Sequence, residues 1–181
     1  EAKEAVGSMG DDTPVAVLSD KYRPLSNFFR QNFSQVTNPP IDSLRENEVM
    51  SLKTRFGNLG NILDFENLTR ENIYVLESPI LSNSQFEKFS LLFKNKLKVL
   101  DCTFNIQNNL KEKLDQLCSE AETAVREGYK HLVLSDKKIT EKKVPIPMIL
   151  AFGAINSKLT NLGIRGFVSI NVQTGEVLDT H

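Results

Sequence analysis

The sequence has no tryptophan, only two cysteines and no long apolar run. Two cysteines are too few for an iron–sulfur cluster held by this chain alone, and the spacing of Cys102 and Cys118 fits no zinc motif. Such sparse cysteine usage is typical of an intracellular, reducing compartment. No segment approaches the roughly 20 apolar residues of a membrane span. Residues 1–12 lack the pattern of a signal peptide, and because the first residue is not Met we expect the chain to come from a longer one.

Histidine is also scarce, and this limits the nucleophilic chemistry that the chain could perform. His131 begins a predicted strand and His181 is the last residue, and neither stands at a recognisable spacing from a nucleophile. Cys118 falls in the apolar stripe of a predicted helix and Cys102 on a predicted buried strand, so we interpret both as core residues. We therefore predict no catalytic residue and no metal-binding residue in this chain.

The chain carries no excess of charge of either sign. Its 22 basic and 23 acidic residues give a net charge of −1, which predicts no binding to nucleic acid or to an anionic membrane. The longest basic cluster, 137-KKITEKK-143, is interrupted by Glu141, and we interpret it as a solvated loop. Hydrophobic residues make up 40% of the 181, as in ordinary soluble proteins, and we expect residues 1–181 to form a single domain.

Short apolar runs indicate buried strands. The predicted strands are 14-PVAVLS-19, 73-IYVLES-78, 97-LKVLDCTF-104, 131-HLVLS-135 and 167-FVSINV-172. Clear helical patterns separate the last three of these runs, and this alternation is the signature of parallel βαβ units.

A first helix is predicted after Leu81. Ser82 can cap it, and Gln85 stands three residues later to complete a capping box. Leu81 can pack against Phe86 across the helix start. The apolar face of this helix comprises Phe86, Phe89 and Phe93.

Two further helices have clear ends. One covers about residues 107–127 and stops at Gly128, a residue that helix C-termini prefer. The other begins near Pro147 and ends before Gly163, which is the expected asymmetry of proline and glycine. We predict that this last helix buries Met148, Phe152, Ile155, Leu159 and Leu162.

The middle of the chain is less regular. We predict a helix over 43–52 and an irregular region over 56–68. The glycines of 57-GNLG-60 have neither the dinucleotide-binding spacing nor the lysine of a phosphate loop, so we interpret this stretch as a turn.

The pentapeptide VLSDK occurs twice, at 17–21 and at 133–137, and each copy closes a predicted strand. In parallel α/β folds, ligands gather at the carboxyl ends of the strands. Ser19, Asp20, Ser135 and Asp136 would lie there. The simpler interpretation, which we favour, is that these residues form ordinary turns and caps.

The stretch 29-FRQNFSQVTNPPID-42 joins an aromatic helical pattern to two consecutive prolines. The pattern comprises Leu25, Phe28, Phe29, Phe33 and Val36. Pro39 disfavours helical geometry at Asn38, so the helix must stop near this point. A loop stiffened in this way could also hold the side chains of Thr37 and Asn38 in fixed positions.

These segments closely resemble the central domain of the glutamate synthase large subunit. The resemblance covers nearly the whole chain, and the block around Gln35–Asp42 is the most specific part of it. The matching segments are residues 4–20, 17–52, 57-GNLGNIL-63, 77-ESPIL-81, 120–137, 145-PIPMILAFGAINSKL-159 and 174-TGEV-177.

The resemblance implies a fold and a role. The expected fold is α/β, a partial (β/α) barrel-like domain whose mostly parallel sheet is flanked by helices. The domain would link a glutamine amidotransferase domain to an FMN-binding synthase domain, in a cytoplasmic or plastid enzyme that makes glutamate from glutamine and 2-oxoglutarate. FMN and an iron–sulfur cluster would belong to that parent enzyme and not to this fragment. The parent's electrons would come from ferredoxin or a pyridine-nucleotide subunit.

The resemblance also implies which residues matter. Ammonia passes between the two catalytic domains in that family, and Thr37 and Asn38 match the segment at the mouth of the ammonia tunnel. Val36, Pro39 and Pro40 would form the scaffold of that loop. None of the family's catalytic residues matches a position in this chain, so the isolated fragment is expected to be non-catalytic.

A second function stays open at this point. The chain could be a free-standing α/β module that binds a small molecule at the carboxyl ends of its strands, near Ser19, Asp20, Ser135 and Asp136.

Overall fold

The computed structural model of the chain describes residues 16–18, 20–23, 25–29, 49–56, 63 and 73–177. The chain divides into two compact units, residues 1–53 and 54–181. The prediction of a single domain over 1–181 stays a prediction.

The described residues of the first unit include two short 3-10 helices, Ala16–Leu18 and Leu25–Phe28. The predicted strand over 14–19 is wrong for the residues that the structure describes, because Ala16–Leu18 forms a 3-10 helix in which Val17 and Leu18 are exposed. An apolar run forms a strand only if a neighbouring strand takes up its backbone hydrogen bonds. Of the helix predicted over 43–52, the structure describes residues 49–52, of which only residue 49 is helical. The turn predicted at 57–60 lies outside the described residues.

The second unit is built on a parallel sheet. Its strands β3 (Leu97–Asp101), β5 (His131–Ser135) and β7 (Ser169–Gln173) pair in the order β3-β5-β7. Leu97 is opposite His131, and His131 is opposite Ser169, so the three strands start in register. This confirms the parallel βαβ units predicted from the apolar runs.

Two helices connect these strands, α2 (Leu110–Arg126) after β3 and α3 (Met148–Asn161) after β5. Both helices pack on one face of the sheet, where they form a single core with the strands. Helices that follow successive neighbouring strands on one face are the arrangement of a (β/α) barrel segment. The expected partial-barrel α/β fold is confirmed, and the described strands do not close into a barrel. Members of the core include Leu100, Leu117, Ala121, Leu132, Leu134, Ala151, Ile155 and Leu159.

The helix ends agree with their sequence signals. The helix α1 (Asn83–Leu92) starts with the predicted capping box: the Gln85 amide donates to Ser82 Oγ (3.4 Å) and the Ser82 amide donates to Gln85 Oε1 (2.9 Å). Helices α2 and α3 are followed by Gly128 and Gly163, whose φ values of 91° and 70° favour glycine.

One face prediction for α3 is wrong. Phe152 and Leu162 were expected in the core, but both are exposed by more than a third of their surface. The buried stripe runs instead through Met148, Ala151, Ile155 and Leu159. Ala151 takes the position next to the sheet because its small side chain lets the helix approach closely.

An aromatic layer contacts the opposite side of β5. Strands β1 (Thr54–Phe56) and β2 (Tyr74–Leu76) form an antiparallel pair, which with α1 contributes a second core. Because side chains alternate along a strand, His131 points away from Leu132 and towards this layer. Strand β2 confirms the predicted strand over 73–78, whereas β1 was not predicted.

A second small antiparallel pair extends the carboxyl end of the sheet. Strand β4 (Thr103–Asn105) continues the run of β3 after Cys102 and pairs with β6 (Lys143–Pro145). None of the helices in the described parts of the chain is long and apolar enough to cross a membrane.

Candidate functional site

The predicted tunnel residues cannot be located in the structure. Val36, Thr37, Asn38, Pro39 and Pro40 all lie outside the described residues. The tunnel assignment therefore stays a prediction.

The residues expected at the carboxyl ends of the strands fall in different units. Ser19 lies outside the described residues, and Asp20 is an exposed residue of the first unit. Ser135 and Asp136 lie together at the end of β5 in the second unit, and both are more than nine-tenths buried. Of the two pairs, only Ser135 and Asp136 are both described by the structure.

Ser135 and Asp136 bind the end of the neighbouring strand. Ser135 Oγ donates to Gln173 Oε1 (3.0 Å), and Thr174 Oγ1 donates to Asp136 Oδ2 (2.6 Å). The Asp136 amide also donates to the Gln173 carbonyl oxygen (3.3 Å). We refer to Ser135, Asp136, Gln173, Thr174 and Glu176 as the carboxyl-edge clasp.

Glu176 completes the clasp by capping α3. The Met148 amide, at the start of that helix, donates to Glu176 Oε2 (2.8 Å). Pro147 precedes it and offers no side-chain hydrogen bond to the helix. A carboxylate at this position satisfies a free amide and interacts favourably with the helix dipole. The Glu176 amide in turn donates to Thr174 Oγ1 (3.2 Å), which ties the cap to Asp136.

Asp101 forms a second polar contact at the end of β3. Its Oδ1 accepts hydrogen bonds from the Thr103 hydroxyl (2.7 Å) and amide (3.1 Å), and its Oδ2 lies 3.5 Å from Lys138 Nζ. Burial alone would raise the pKa of this carboxyl group, but the bonds from Thr103 and the charge of Lys138 together hold it below its ordinary value. Asp101 is therefore an ionised structural group.

Neither cysteine has the properties of a nucleophile. Cys102 is fully buried, and burial raises the pKa of its thiol to about 12. Burial also raises the pKa of the Cys118 thiol, which packs partly buried against the main core. A thiol with a raised pKa is protonated at neutral pH and unreactive. Both cysteines are core residues, as predicted.

The one described histidine lies at the wrong end of the strand to assist chemistry at the clasp. His131 is the first residue of β5 and Ser135 is the last, a separation of about 13 Å along a strand. The described residues also contain no group of three His, Cys, Asp or Glu side chains that could hold a metal ion. Among the described residues, the polar side chains of the carboxyl edge bind the protein's own backbone and side chains.

The clasp residues on β7 were missed as functional residues in the sequence. Gln173 and Thr174 are 38 residues from their partners Ser135 and Asp136. The signal available was 174-TGEV-177, a polar turn directly after a predicted strand. Its hydroxyl and carboxylate are typical of a turn that caps a nearby helix.

Replacing Glu176 by Gln is expected to lower the free energy of unfolding by about 1 kcal/mol. The amide oxygen of Gln can still accept from Met148, but it carries no charge to interact with the helix dipole. Urea unfolding at neutral pH measures the effect, with Glu87→Gln on the exposed face of α1 as the matched control. Equal stability of the two variants would mean that the charge of Glu176 contributes nothing to the cap.

Comparison with known proteins now identifies the family. The sequence matches the glutamate synthase central domain family over residues 1–181. It is 51% identical to the glutamate synthase [NADPH] large chain of Azospirillum brasilense and 40% identical to that of Bacillus subtilis (strain 168), over 100% of this chain in both cases. It is also 39% identical to the ferredoxin-dependent glutamate synthase of Pyropia yezoensis, again over 100% of the chain.

The match covers only part of each relative. The chain spans 12% of the length of each of these three proteins. Both NADPH-named and ferredoxin-dependent enzymes are among them, so the similarity does not separate the two types. The family match extends over all 181 residues, and the chain belongs to the glutamate synthase central domain family.

Proposed function

We propose that this chain acts as the central domain of a glutamate synthase large chain. It would link the glutamine amidotransferase domain to the FMN-binding synthase domain, in a cytoplasmic or plastid enzyme. The parent enzyme would hydrolyse glutamine, add the released ammonia to 2-oxoglutarate and reduce the resulting imine to a second glutamate. The observation that carries this proposal is the similarity along the entire chain to a small part of much longer synthases.

The residues of the second unit support a linking role over a catalytic one. Every side chain of the carboxyl-edge clasp already has a protein partner. The edge where barrel enzymes bind substrates is therefore occupied by the chain's own contacts. The clasp also fixes where the backbone leaves β7, which suits a domain that must hold a constant geometry between its neighbours.

The cofactors of the parent enzyme do not fit the described residues. Barrel enzymes often hold a phosphate at a helix N-terminus near the carboxyl ends of their strands. At the N-terminus of α3 that position is taken by the Glu176 carboxylate, which would repel a phosphate. An iron–sulfur cluster needs four ligands, and the chain has two cysteines, one of them fully buried. FMN and the cluster would belong to the rest of the parent enzyme, as would the site for ferredoxin or a pyridine-nucleotide subunit.

The proposed role includes the ammonia tunnel. Thr37 and Asn38 would line its mouth, and Val36, Pro39 and Pro40 would hold the loop. A hydroxyl and an amide can hydrogen-bond ammonia or order water, and neither can protonate it. The loop would then guide ammonia without trapping it as ammonium.

Replacing Asn38 by Leu in the full-length parent enzyme is expected to uncouple its two reactions. Leucine is about as large as asparagine but cannot hydrogen-bond ammonia, so the entrance would guide ammonia less well and more of it would escape to solvent. We therefore expect about a twofold or greater excess of glutamine hydrolysed over 2-oxoglutarate consumed. Both are measured in the same assay, with Asn95→Leu as the matched control, since Asn95 is an exposed asparagine of the second unit. An unchanged ratio for Asn38→Leu would remove the tunnel assignment.

A further inference from the structure

The loop 137–143 concentrates positive charge. It connects β5 to β6 and contains Lys137, Lys138, Lys142 and Lys143 with one acidic residue, Glu141. All seven residues of the loop are exposed. The whole chain has a net charge of −1, so this loop stands out against a slightly acidic background. Exposed charge of one sign on an otherwise balanced domain is typical of an electrostatic contact surface.

The loop is held in a defined conformation by its own hydrogen bonds. Thr140 and Lys143 exchange two backbone bonds, of 3.1 and 3.2 Å. The Ile106 amide donates to the Lys142 carbonyl oxygen (3.3 Å), which extends the β4–β6 pairing by one step. The ammonium group of Lys138 pairs with Asp101, with 3.5 Å between Nζ and Oδ2. The backbone that carries the lysines is therefore ordered, and less backbone freedom is lost when a partner binds them.

Two isoleucines are exposed on the same pair of loops. Ile139 is 53% exposed within the basic loop, and Ile106, directly opposite Lys142, is 68% exposed. A single exposed apolar side chain is ordinary. Two on the segments that carry these lysines combine exposed apolar and charged groups, as protein-binding surfaces do. We refer to the loop 137–143 together with Ile106 as the basic edge.

We propose that the basic edge docks against an acidic surface elsewhere in the same parent polypeptide. This inference rests on the proposed function. Its charge is complementary to such a surface, and the chain spans only 12% of the relatives' length, so most potential partners would be covalently tethered. A tethered surface is present at high effective concentration, and a few lysines are then sufficient to fix its position.

The chemistry of the basic edge fits a protein better than a nucleic acid. Its cations are all lysine, and none has the planar guanidinium that binds phosphates and bases in a bidentate manner. The loop has no aromatic side chain on which a base could stack. The carboxylate of Glu141 would also be repelled by a polyanion, whereas a protein surface can pair it with a single lysine or arginine.

Zero-length carbodiimide cross-linking of the full-length parent enzyme tests the proposal, because it joins a lysine only to a carboxylate in contact. The products are separated on a denaturing gel, and peptides from the monomer band are identified by mass spectrometry. We expect links from Lys137, Lys138, Lys142 or Lys143 to Asp or Glu residues outside positions 1–181. The yield should fall as the salt concentration rises. Lys88 and Lys94, which are exposed near the end of α1, are the control lysines and should give no such links.

A charge-reversed variant completes the test. Lys142→Glu combined with Ile139→Ser should abolish the links from the remaining lysines of the loop, whereas Lys94→Glu should leave them unchanged. The salt bridge between Lys138 and Asp101 by itself predicts one link within residues 1–181. Links found only within residues 1–181, or only between separate polypeptides, would overturn the proposal. The outcome is independent of the proposed tunnel: a normal product ratio in Asn38→Leu with intact links rejects only the tunnel, and a shifted ratio without links rejects only the docking surface.

Discussion

Replacing Phe89 by Ala is expected to lower the free energy of unfolding of the second unit by about 3–5 kcal/mol. Phe89 is fully buried on α1, and its ring lies among those of Phe56, Phe93 and His131, with centroid distances of 5.2, 5.0 and 5.1 Å. Removing the ring leaves a cavity between α1, the β1–β2 pair and β5. Offset and edge-to-face contacts with three rings are lost as well. Urea unfolding followed by circular dichroism at neutral pH measures the change.

The same helix supplies the control. Leu91 and Leu92 lie two and three residues after Phe89 and are exposed, so Leu91→Ala and Leu92→Ala should each change stability by less than about 0.5 kcal/mol. Phe89→Leu fills part of the space and should fall between the two classes, at roughly 1–2 kcal/mol. If Phe89→Ala lowered the free energy of unfolding no more than Leu91→Ala or Leu92→Ala, the aromatic layer would not be part of the unit's stable core.

The helices and the parallel sheet could be predicted because their signals are local and repeated. The stripe through Leu117 and Ala121 recurs over four turns, and the capping box of Ser82 and Gln85 lies within four residues. Strands β1 and β6, which were not predicted, are three residues long each. A run of that length shows no period, and it becomes a strand only through the partner that its tertiary position provides.

The site was predictable only in part. Ser135 and Asp136 could be placed at the carboxyl end of a strand, because the apolar run before them ends there. Their partners Gln173 and Thr174 depend on the register of β5 with β7, in which Ser135 is opposite Gln173. The register between two strands that are distant in the chain cannot be predicted from a single sequence. The preference for Ala151 over Phe152 against the sheet has the same origin, since it depends on how closely two elements approach.

The stability of the second unit is expected to fall as the pH drops from about 6.5 to about 4, because of His131. This side chain is buried against Phe93, with ring centroids 4.3 Å apart, and its Nδ1 has no hydrogen-bond partner among the described residues. Burial, and to a lesser extent the positive charge of Lys96, lowers the pKa of His131 from 6.5 to about 4. The folded unit therefore contains the neutral imidazole at neutral pH.

The direction of the effect follows from proton binding. Between these two pKa values the unfolded chain binds a proton at His131 and the folded chain does not, so stability rises with pH across this window. The contribution is fully present above the unfolded pKa and is lost as the pH falls through the folded one. Its size is of the order of 2 kcal/mol, once some solvent screening of the charged form is allowed for. The lowered pKa of Asp101 acts only below its ordinary value of 3.8, so the two effects fall in separate pH ranges.

Urea unfolding at a series of pH values, for the unchanged chain and for His131→Leu, measures this contribution. Leucine has a similar volume and no titrating group, so the variant should lose most of the slope between about pH 6.5 and 4. His181 is present in both proteins, and its titration cancels in the comparison. Parallel pH profiles for the two proteins would show that His131 is protonated in the folded state, and that the aromatic layer tolerates a buried positive charge. A flat profile for the variant would assign the pH dependence of stability in this window to the neutral form of His131.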